Sequence, residues 1–280
     1  MKFVRNALIL LSGGLIALYV GAATYLYVVQ RDLLFPRSTT VIDAPGQSSI
    51  YRTRNIVEPD GTKLTIWECP ALRQGIGTFV LFYGNAASVL EFEDAGEEIH
   101  RHGFGVVLAS YRGYSGNTGH PSEQGLMADA RAILATLPKN GGPVILWGHS
   151  LGSGVAARMA SEGRASALIL ESPFTAAVDV AAGAYPMFPV RWLMKDRFDT
   201  LSLVPRIKVP VLILHGTDDE AVPFGMSKAL ARAFGTRATL FPIAGAHHNP
   251  DPTALLPAVM AWLQSRSTAI YRDGEARTAE

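Results

Sequence analysis

The 280-residue chain has a single cysteine, almost no excess of charge of either sign, and no basic stripe interleaved with aromatic residues. The lone Cys69 excludes an internal disulfide and any zinc site built on cysteines; its expected role is that of a small buried hydrophobe at a strand end. With 25 Lys and Arg against 24 Asp and Glu, the formal net charge is +1, so no nucleic-acid partner is expected. His-Glu-x-x-His, Gly-x-x-x-x-Gly-Lys and a clean dinucleotide fingerprint are all missing, so neither a metal nor a cofactor is expected. No internal repeat is visible.

What is present suffices for one large core, with or without a small appendage: 48% of residues are hydrophobic and 18% charged. Residues 7–29 carry no charge and are bracketed by Lys2 and Arg5 before and by Arg31 and Asp32 after. A run of this length crosses a hydrocarbon core as a helix. Tyr19, Tyr25 and Tyr27 gather toward its far end, where aromatic rings favour the interface. The competing reading is a cleaved signal peptide, with Gly21-Ala22-Ala23 as the cleavage site. Apolar residues continue past that site to Val29, longer than a typical signal core, so a retained single-pass anchor is expected. Lys2 and Arg5 oppose Arg31 and Arg37, and the positive-inside rule leans slightly toward a cytoplasmic N-terminus with the remainder outside.

Beyond the anchor, residues 30–49 read as a linker, 50–266 as one α/β domain and 267–280 as a polar, frayed tail. Strand-like segments at 51–57 and 63–68 are joined by Glu58-Pro59-Asp60-Gly61, a tight-turn sequence. Apolar runs at 78–82, 106–109, 144–147, 167–170, 211–214 and 238–241 predict strands buried on both faces. Helical stretches at 89–102, 122–137, 154–162, 225–234 and 252–264 lie between most of them. The alternation predicts a mostly parallel sheet flanked by helices. Residues 173–210 break the rhythm as an insertion after the sixth predicted strand, rich in apolar residues such as Tyr185, Met187, Phe188 and Trp192. Two readings stand for it: a lid over the site, or ordinary packing on the main core.

The chemistry begins at Gly148-His149-Ser150-Leu151-Gly152, between the run 144–147 and a small-residue helix start. Strand, G-x-S-x-G turn and helix together describe a nucleophile elbow with Ser150 at its apex. A serine hydroxyl needs a base, and the base needs a carboxylate to fix its tautomer. In the order Ser, acid, His, the chain supplies His215-Gly216-Thr217-Asp218-Asp219-Glu220-Ala221-Val222-Pro223 after one strand and Ala244-Gly245-Ala246-His247-His248-Asn249-Pro250 after the next. Both loops follow strand ends, the edge where ligand chemistry collects in parallel sheets. One oxyanion donor is expected from the residue after the serine, Leu151. The remaining histidines, His100, His102, His120, His149 and His215, are given surface or structural roles.

These segments resemble the membrane-anchored, serine-aminopeptidase-like ABHD branch of the α/β-hydrolases. The resemblance extends to Gln30-Arg31-Asp32-Leu33-Leu34-Phe35-Pro36, Phe82-Tyr83-Gly84-Asn85-Ala86-Ala87 and Tyr111-Arg112-Gly113-Tyr114-Ser115-Gly116. It implies an α/β-hydrolase fold, with Asp219 as the acid and His248 as the base, leaving Asp218 as a turn former and His247 as a solvated neighbour. It also places the second oxyanion donor at Asn85. The chain departs from the family pattern at Tyr83, where relatives carry His, at Ser110, where they often carry Asp, and at His247, where they carry Gly. The resemblance implies a serine esterase or thioesterase acting through Ser150, Asp219 and His248 on an acyl small molecule, lipid or acylated protein near a membrane. A peptidase acting on free amino termini and a non-catalytic membrane-tethered scaffold are the alternatives.

Overall fold

A computed structural model describes residues 2–36, 45–46 and 49–271. It opens with a long helix, α1 (Lys2–Leu34), which extends beyond both ends of the uncharged run, so residues 30–34 are helical rather than linker. Pro36 disfavours helical backbone at Phe35 and ends the helix there; Phe35 turns into the core, edge-on to Phe198 with ring centroids 6.2 Å apart. The rest of the expected linker, 37–44 and 47–48, lies outside the described residues, as does 272–280.

The domain is an eight-stranded sheet: β1 (Arg52–Val57), β2 (Lys63–Cys69), β3 (Thr78–Phe82), β4 (Gly105–Leu108), β5 (Val144–His149), β6 (Ala167–Glu171), β7 (Val211–Gly216) and β8 (Ala238–Ile243). Their spatial order is β1-β2-β4-β3-β5-β6-β7-β8. β1 and β2 pair as a hairpin, β2 meets β4 antiparallel, and every pairing from β4 onward is parallel. The central strands β4, β6 and β7 are buried along their whole length, which is why they read as continuous apolar runs, whereas β1 is an exposed edge. Cys69, the last residue of β2, is buried as expected. His100, expected on the surface, is half-buried between the Cys69 Sγ at 3.3 Å and the Phe104 carbonyl at 3.1 Å.

Helices cover both faces: α2 (Glu93–Arg101), α3 (Glu123–Ala135), α4 (Leu151–Ser161), α5 (Ala177–Ala184), α6 (Val190–Leu193), α7 (Thr200–Leu203), α8 (Gly225–Phe234) and α9 (Pro252–Ser265). Local signals set their ends. The Ser122 hydroxyl caps α3 by accepting from the Gly125 N–H at 3.0 Å, and Asp251 with Pro252 starts α9. The stretch 89–102 divides into a 3₁₀ turn and α2. Residues 267–271, expected in the frayed tail, make a further helical turn: Ile270 is buried and the Tyr271 hydroxyl donates to the Ile76 carbonyl at 3.0 Å. Because β3, β5, β7 and β8 run parallel, the loops that follow them all emerge at one edge of the sheet.

Candidate active site

Ser150 sits between β5 and α4 with φ 49° and ψ −115°, outside the regions open to an ordinary L-residue. The helix begins at Leu151, three residues before the expected start, because the flanking glycines pack tightly rather than break it. A Cβ on Gly148 would lie 2.3 Å from the Gly152 carbonyl oxygen, and one on Gly152 would lie 2.1 Å from that of Phe82. The elbow is thus wedged against the end of β3. The Ser153 hydroxyl secures it by donating to the Ser150 carbonyl at 2.6 Å.

The edge loops bring the three side chains into contact. Ser150 Oγ lies 2.9 Å from His248 Nε2, and His248 Nδ1 lies 2.7 Å from Asp219 Oδ2. The two supporting loops are stitched together: Thr217 N–H donates to Ile243 O at 3.0 Å, Asp218 N–H to Ala246 O at 3.0 Å, and Gly245 N–H to the Thr217 hydroxyl at 2.9 Å. The other Asp219 oxygen accepts from the N–H groups of Ala221 and Val222 at 2.9 and 2.8 Å. Burial alone would raise the Asp219 pKa. Hydrogen bonds from His248 and the Val222 N–H, with the electrostatic attraction of the His248 ring, outweigh it and hold the group below the ordinary carboxylate value. Asp218 and His247 are exposed, and His247 Nδ1 lies 3.2 Å from the Asp218 carbonyl.

Three further residues support this set and were not legible as such from the sequence. His215 is fully buried with Nε2 3.0 Å from Asp219 Oδ2 and 2.9 Å from the Val222 carbonyl, and Nδ1 2.6 Å from the Ser227 hydroxyl. Burial lowers its pKa, so the neutral ring donates from Nε2 and accepts from Ser227 at Nδ1. The His248 carbonyl is gripped by the Ser172 hydroxyl at 2.9 Å and by His149 Nε2 at 3.2 Å. His149 Nδ1 lies 2.6 Å from Glu91 Oε1. Burial opposes a charge on His149, but the carboxylates of Glu171 and Glu91 prevail and push its pKa up to about 9. The charged ring then pairs with the Glu91 carboxylate on its Nδ1 side and donates from Nε2 to the His248 carbonyl. Their only sequence signal is nearness to the motif, because bonds to backbone carbonyls impose no pattern on side-chain types.

Leu151 opens α4, where the first N–H groups lack intrahelical acceptors and the helix dipole favours negative charge. Across from it, the loop after β3 lies against the elbow: a Cβ on Gly84 would sit a tight 3.2 Å from His149 Nδ1 and in ordinary contact, 3.5 Å, with that of Ser150. The next residue, Asn85, is held twice. Its carbonyl accepts from the Tyr114 hydroxyl at 2.9 Å, and its side-chain amide donates to the Leu34 carbonyl at 3.2 Å. The departures at Tyr83 and Ser110 meet each other: the two hydroxyl oxygens are 3.3 Å apart, and Asn117 donates to Ser110 at 2.8 Å. Tyr83 also stacks in a buried cluster with Tyr111 and Tyr114. That segment is fastened by Arg112, which reaches Asp129 at 2.7 Å, Asp60 at 2.9 Å and Glu58 at 3.0 Å.

A cavity of about 380 Å³ opens on Ser150 and His248, with Asn85, Leu151, Ala221 and Val222 at the same end. Its remaining lining, apolar apart from Gln30, comes from the insertion and from α1. Residues of the insertion are found in both places: Phe174 and Phe198 are buried in the main core, while residues of α5 and α6 line the cavity. Among the described residues no cluster of His, Cys, Asp or Glu is arranged to hold a metal ion.

Comparison with known proteins agrees with this architecture. A family model for the alpha/beta hydrolase fold matches residues 77–202. The uncharacterized protein MT2364 of Mycobacterium tuberculosis (strain CDC 1551 / Oshkosh) is 35% identical over 246 residues, 86% of this chain and 87% of its own. This chain belongs to the α/β-hydrolase family. Lysophosphatidylserine lipase ABHD12 of Danio rerio is 38% identical to the hydrolase over 149 residues, 46% of this chain and 39% of its own, in keeping with the ABHD-type resemblance. The Pyrococcus furiosus esterase Pf2001 superposes with a TM-score of 0.64 at 17% identity, over 84% of this hydrolase and 98% of that chain, a likeness of fold.

Proposed function

We propose that this hydrolase cleaves carboxylic ester or thioester bonds of hydrophobic acyl substrates through a Ser150-His248-Asp219 triad. The observation that carries this reading is the continuous hydrogen-bond chain from Ser150 Oγ through His248 to Asp219 at the mouth of an apolar cavity. Ser150 Oγ attacks the acyl carbonyl while His248 Nε2 takes its proton. Asp219, held ionised by its donors, accepts from His248 Nδ1–H and stabilises the imidazolium. The carbonyl oxygen becomes an alkoxide facing the backbone N–H groups of Leu151 and Asn85. Collapse expels the alcohol or thiol, which receives the proton from His248. Water then repeats the sequence on the acyl-serine, releasing the acid and restoring the hydroxyl.

Among the described residues the cavity lining contains no carboxylate that would hold a free amino terminus, which speaks against the aminopeptidase alternative. The assembled hydrogen-bond chain speaks against a scaffold with a vestigial site. The name of the ABHD12 relative, a lysophosphatidylserine lipase, points to the same class of acyl ester. α1 is long and apolar enough to cross a membrane, with a mean hydropathy of 2.0 over its best window and no buried residue in that window. We read it as a retained anchor, which brings the site to lipid or acylated substrates at the membrane. The test is hydrolysis of p-nitrophenyl esters of graded chain length, together with fluorophosphonate labelling, by the protein and by Ser150→Ala. Loss of both in the variant is expected; labelling that persists would overturn the assignment.

A further inference from the structure

The anchor does more than tether. Ala23, Leu26, Tyr27, Gln30, Leu33 and Leu34 of α1 line the same cavity as Ser150 and His248. Their spacing, three or four residues apart, is that of one helix face. Facing them are Val180, Ala181 and Ala184 of α5 with Tyr185, Phe188 and Leu193 beyond it. Polar ties fix the two walls together. The Tyr19 hydroxyl donates to the Met187 carbonyl at 2.9 Å and its ring stacks on Phe188 at 5.4 Å. Gln30 accepts from the Lys195 N–H at 2.8 Å, and Arg31 pairs with Asp196 at 2.7 Å.

Depth along the helix gives this wall its meaning. At 1.5 Å per residue, Ala23 lies about 9 Å inside the end of the uncharged run at Val29, and Leu34 about 7 Å beyond it. The reactive end of the cavity, where Asn85 bonds Leu34, therefore stands at the level of the charged residues Arg31 and Asp32. Its apolar end reaches down to the level of the hydrocarbon. An ester lipid in a leaflet has the same profile, with its carbonyl at the polar boundary and its chain below. Tyr19 lies about 15 Å inside Val29, the full depth of one leaflet in a hydrocarbon core roughly 30 Å thick. The lid tip it holds presents Met187 to the outside at that depth, 79% exposed; Trp192, 90% exposed, stands nearer the boundary, where the adjacent Leu193 carbonyl meets the Gln30 amide at 3.4 Å. Large apolar residues so exposed beside the anchor have a partner in lipid tails. A leader cut at Gly21–Ala23 would remove Tyr19 and its contacts with the lid.

We propose that α1 is one wall of the acyl-binding site, that the lid tip dips into the leaflet, and that the acyl chain reaches Ser150 along this wall from the bilayer rather than from water. This rests on the serine-ester reading above. A volume of about 380 Å³ lies at the small end of ligand pockets and suits one acyl chain rather than two.

The test uses the full chain in lipid nanodiscs and the ratio of kcat/KM for p-nitrophenyl laurate to that for the acetate. Leu26→Trp and, as a milder second variant, Ala23→Leu fill the wall; Val28→Trp, on the exposed face, is the control. We expect the ratio to fall about tenfold for Leu26→Trp and less for Ala23→Leu, and to stay within about twofold for the control. Unchanged ratios in both wall variants, with activity still abolished by Ser150→Ala, would overturn the wall and spare the triad. Activity surviving in Ser150→Ala would instead overturn the triad reading. Trp67, Trp147 and Trp262 are buried, so brominated lipids should quench the protein's fluorescence through Trp192. Quenching that disappears in Trp192→Phe supports the dipping lid; equal quenching in both proteins would overturn it.

Discussion

Around Ser150 the sheet edge holds its side chains with short hydrogen bonds from buried partners, whereas across the cavity α1 and the insertion meet through stacked rings, apolar faces and a few polar ties. His248 is fixed at Nδ1, Nε2 and its own carbonyl, and both Asp219 oxygens are occupied. On the other wall, Arg31 is half exposed and Met187 and Trp192 face outward. Bond-making chemistry tolerates displacements of only about half an ångström, so its groups are over-determined. If α1 walls an acyl site as proposed, chains of varying length call for contacts that slide, and apolar contact without direction supplies them.

Substitutions on the two sides should therefore differ in kind. Ser150→Ala should cost about 10⁴-fold or more in ester hydrolysis with little change in thermal midpoint, and Asp219→Asn should approach the same loss by disturbing the His248 tautomer; steady-state kinetics on p-nitrophenyl esters decide it. Arg112→Ala leaves Asp129, Glu58 and Asp60 facing one another without their cation. We expect about 3–5 kcal/mol of destabilisation by denaturant titration, since one partner of a buried ionic cluster is removed.

The His149 cluster gives a pH signature. Its pKa stands near 9 in the fold against 6.5 for an ordinary histidine, so its contribution is fully present below about pH 6.5 and fades as pH rises through 9. The integrated loss is roughly 3 kcal/mol at most. Glu171, pushed up to about 7 by burial, titrates across the lower edge of that window and adds a fall of the same sign there. Denaturant midpoints of the wild type should fall between pH 6.5 and 9, and between pH 8 and 9, above most of the Glu171 titration, those of His149→Gln should fall much less. Asp196→Asn lies on the softer side. It weakens the tie to the half-exposed Arg31 and should cost only about 1 kcal/mol, read as a few-fold rise in KM for long-chain esters.

The same contrast explains what could be read from sequence. Ser150 was legible because strand, turn and helix are consecutive, and the strands because burial on both faces leaves unbroken apolar runs. The choice of Asp219 over Asp218 came from resemblance, since adjacent aspartates in one loop carry no periodic signal. The start of α4 was placed late because the G-x-S-x-G turn was read apart from the helix, when Leu151 and Gly152 already belong to the first helical turn, with Gly152 packed on Phe82. The cavity face of α1 was hidden because, in a run apolar all round, a functional stripe at 23, 26, 30 and 34 has no polar background to stand against. Tyr83 and Ser110 looked like two separate departures until their hydroxyls were found within 3.3 Å of each other.

The steric lock between Gly152 and the last carbonyl of β3 has one more consequence. The contact joins segments some seventy residues apart, so the contorted serine cannot exist in a chain whose central strands have not yet aligned. If Ser150 is the nucleophile as proposed, a reactive hydroxyl would be a certificate of completed assembly: nascent or damaged molecules would stay chemically silent, and the fraction accepting an active-site label would count the properly finished ones.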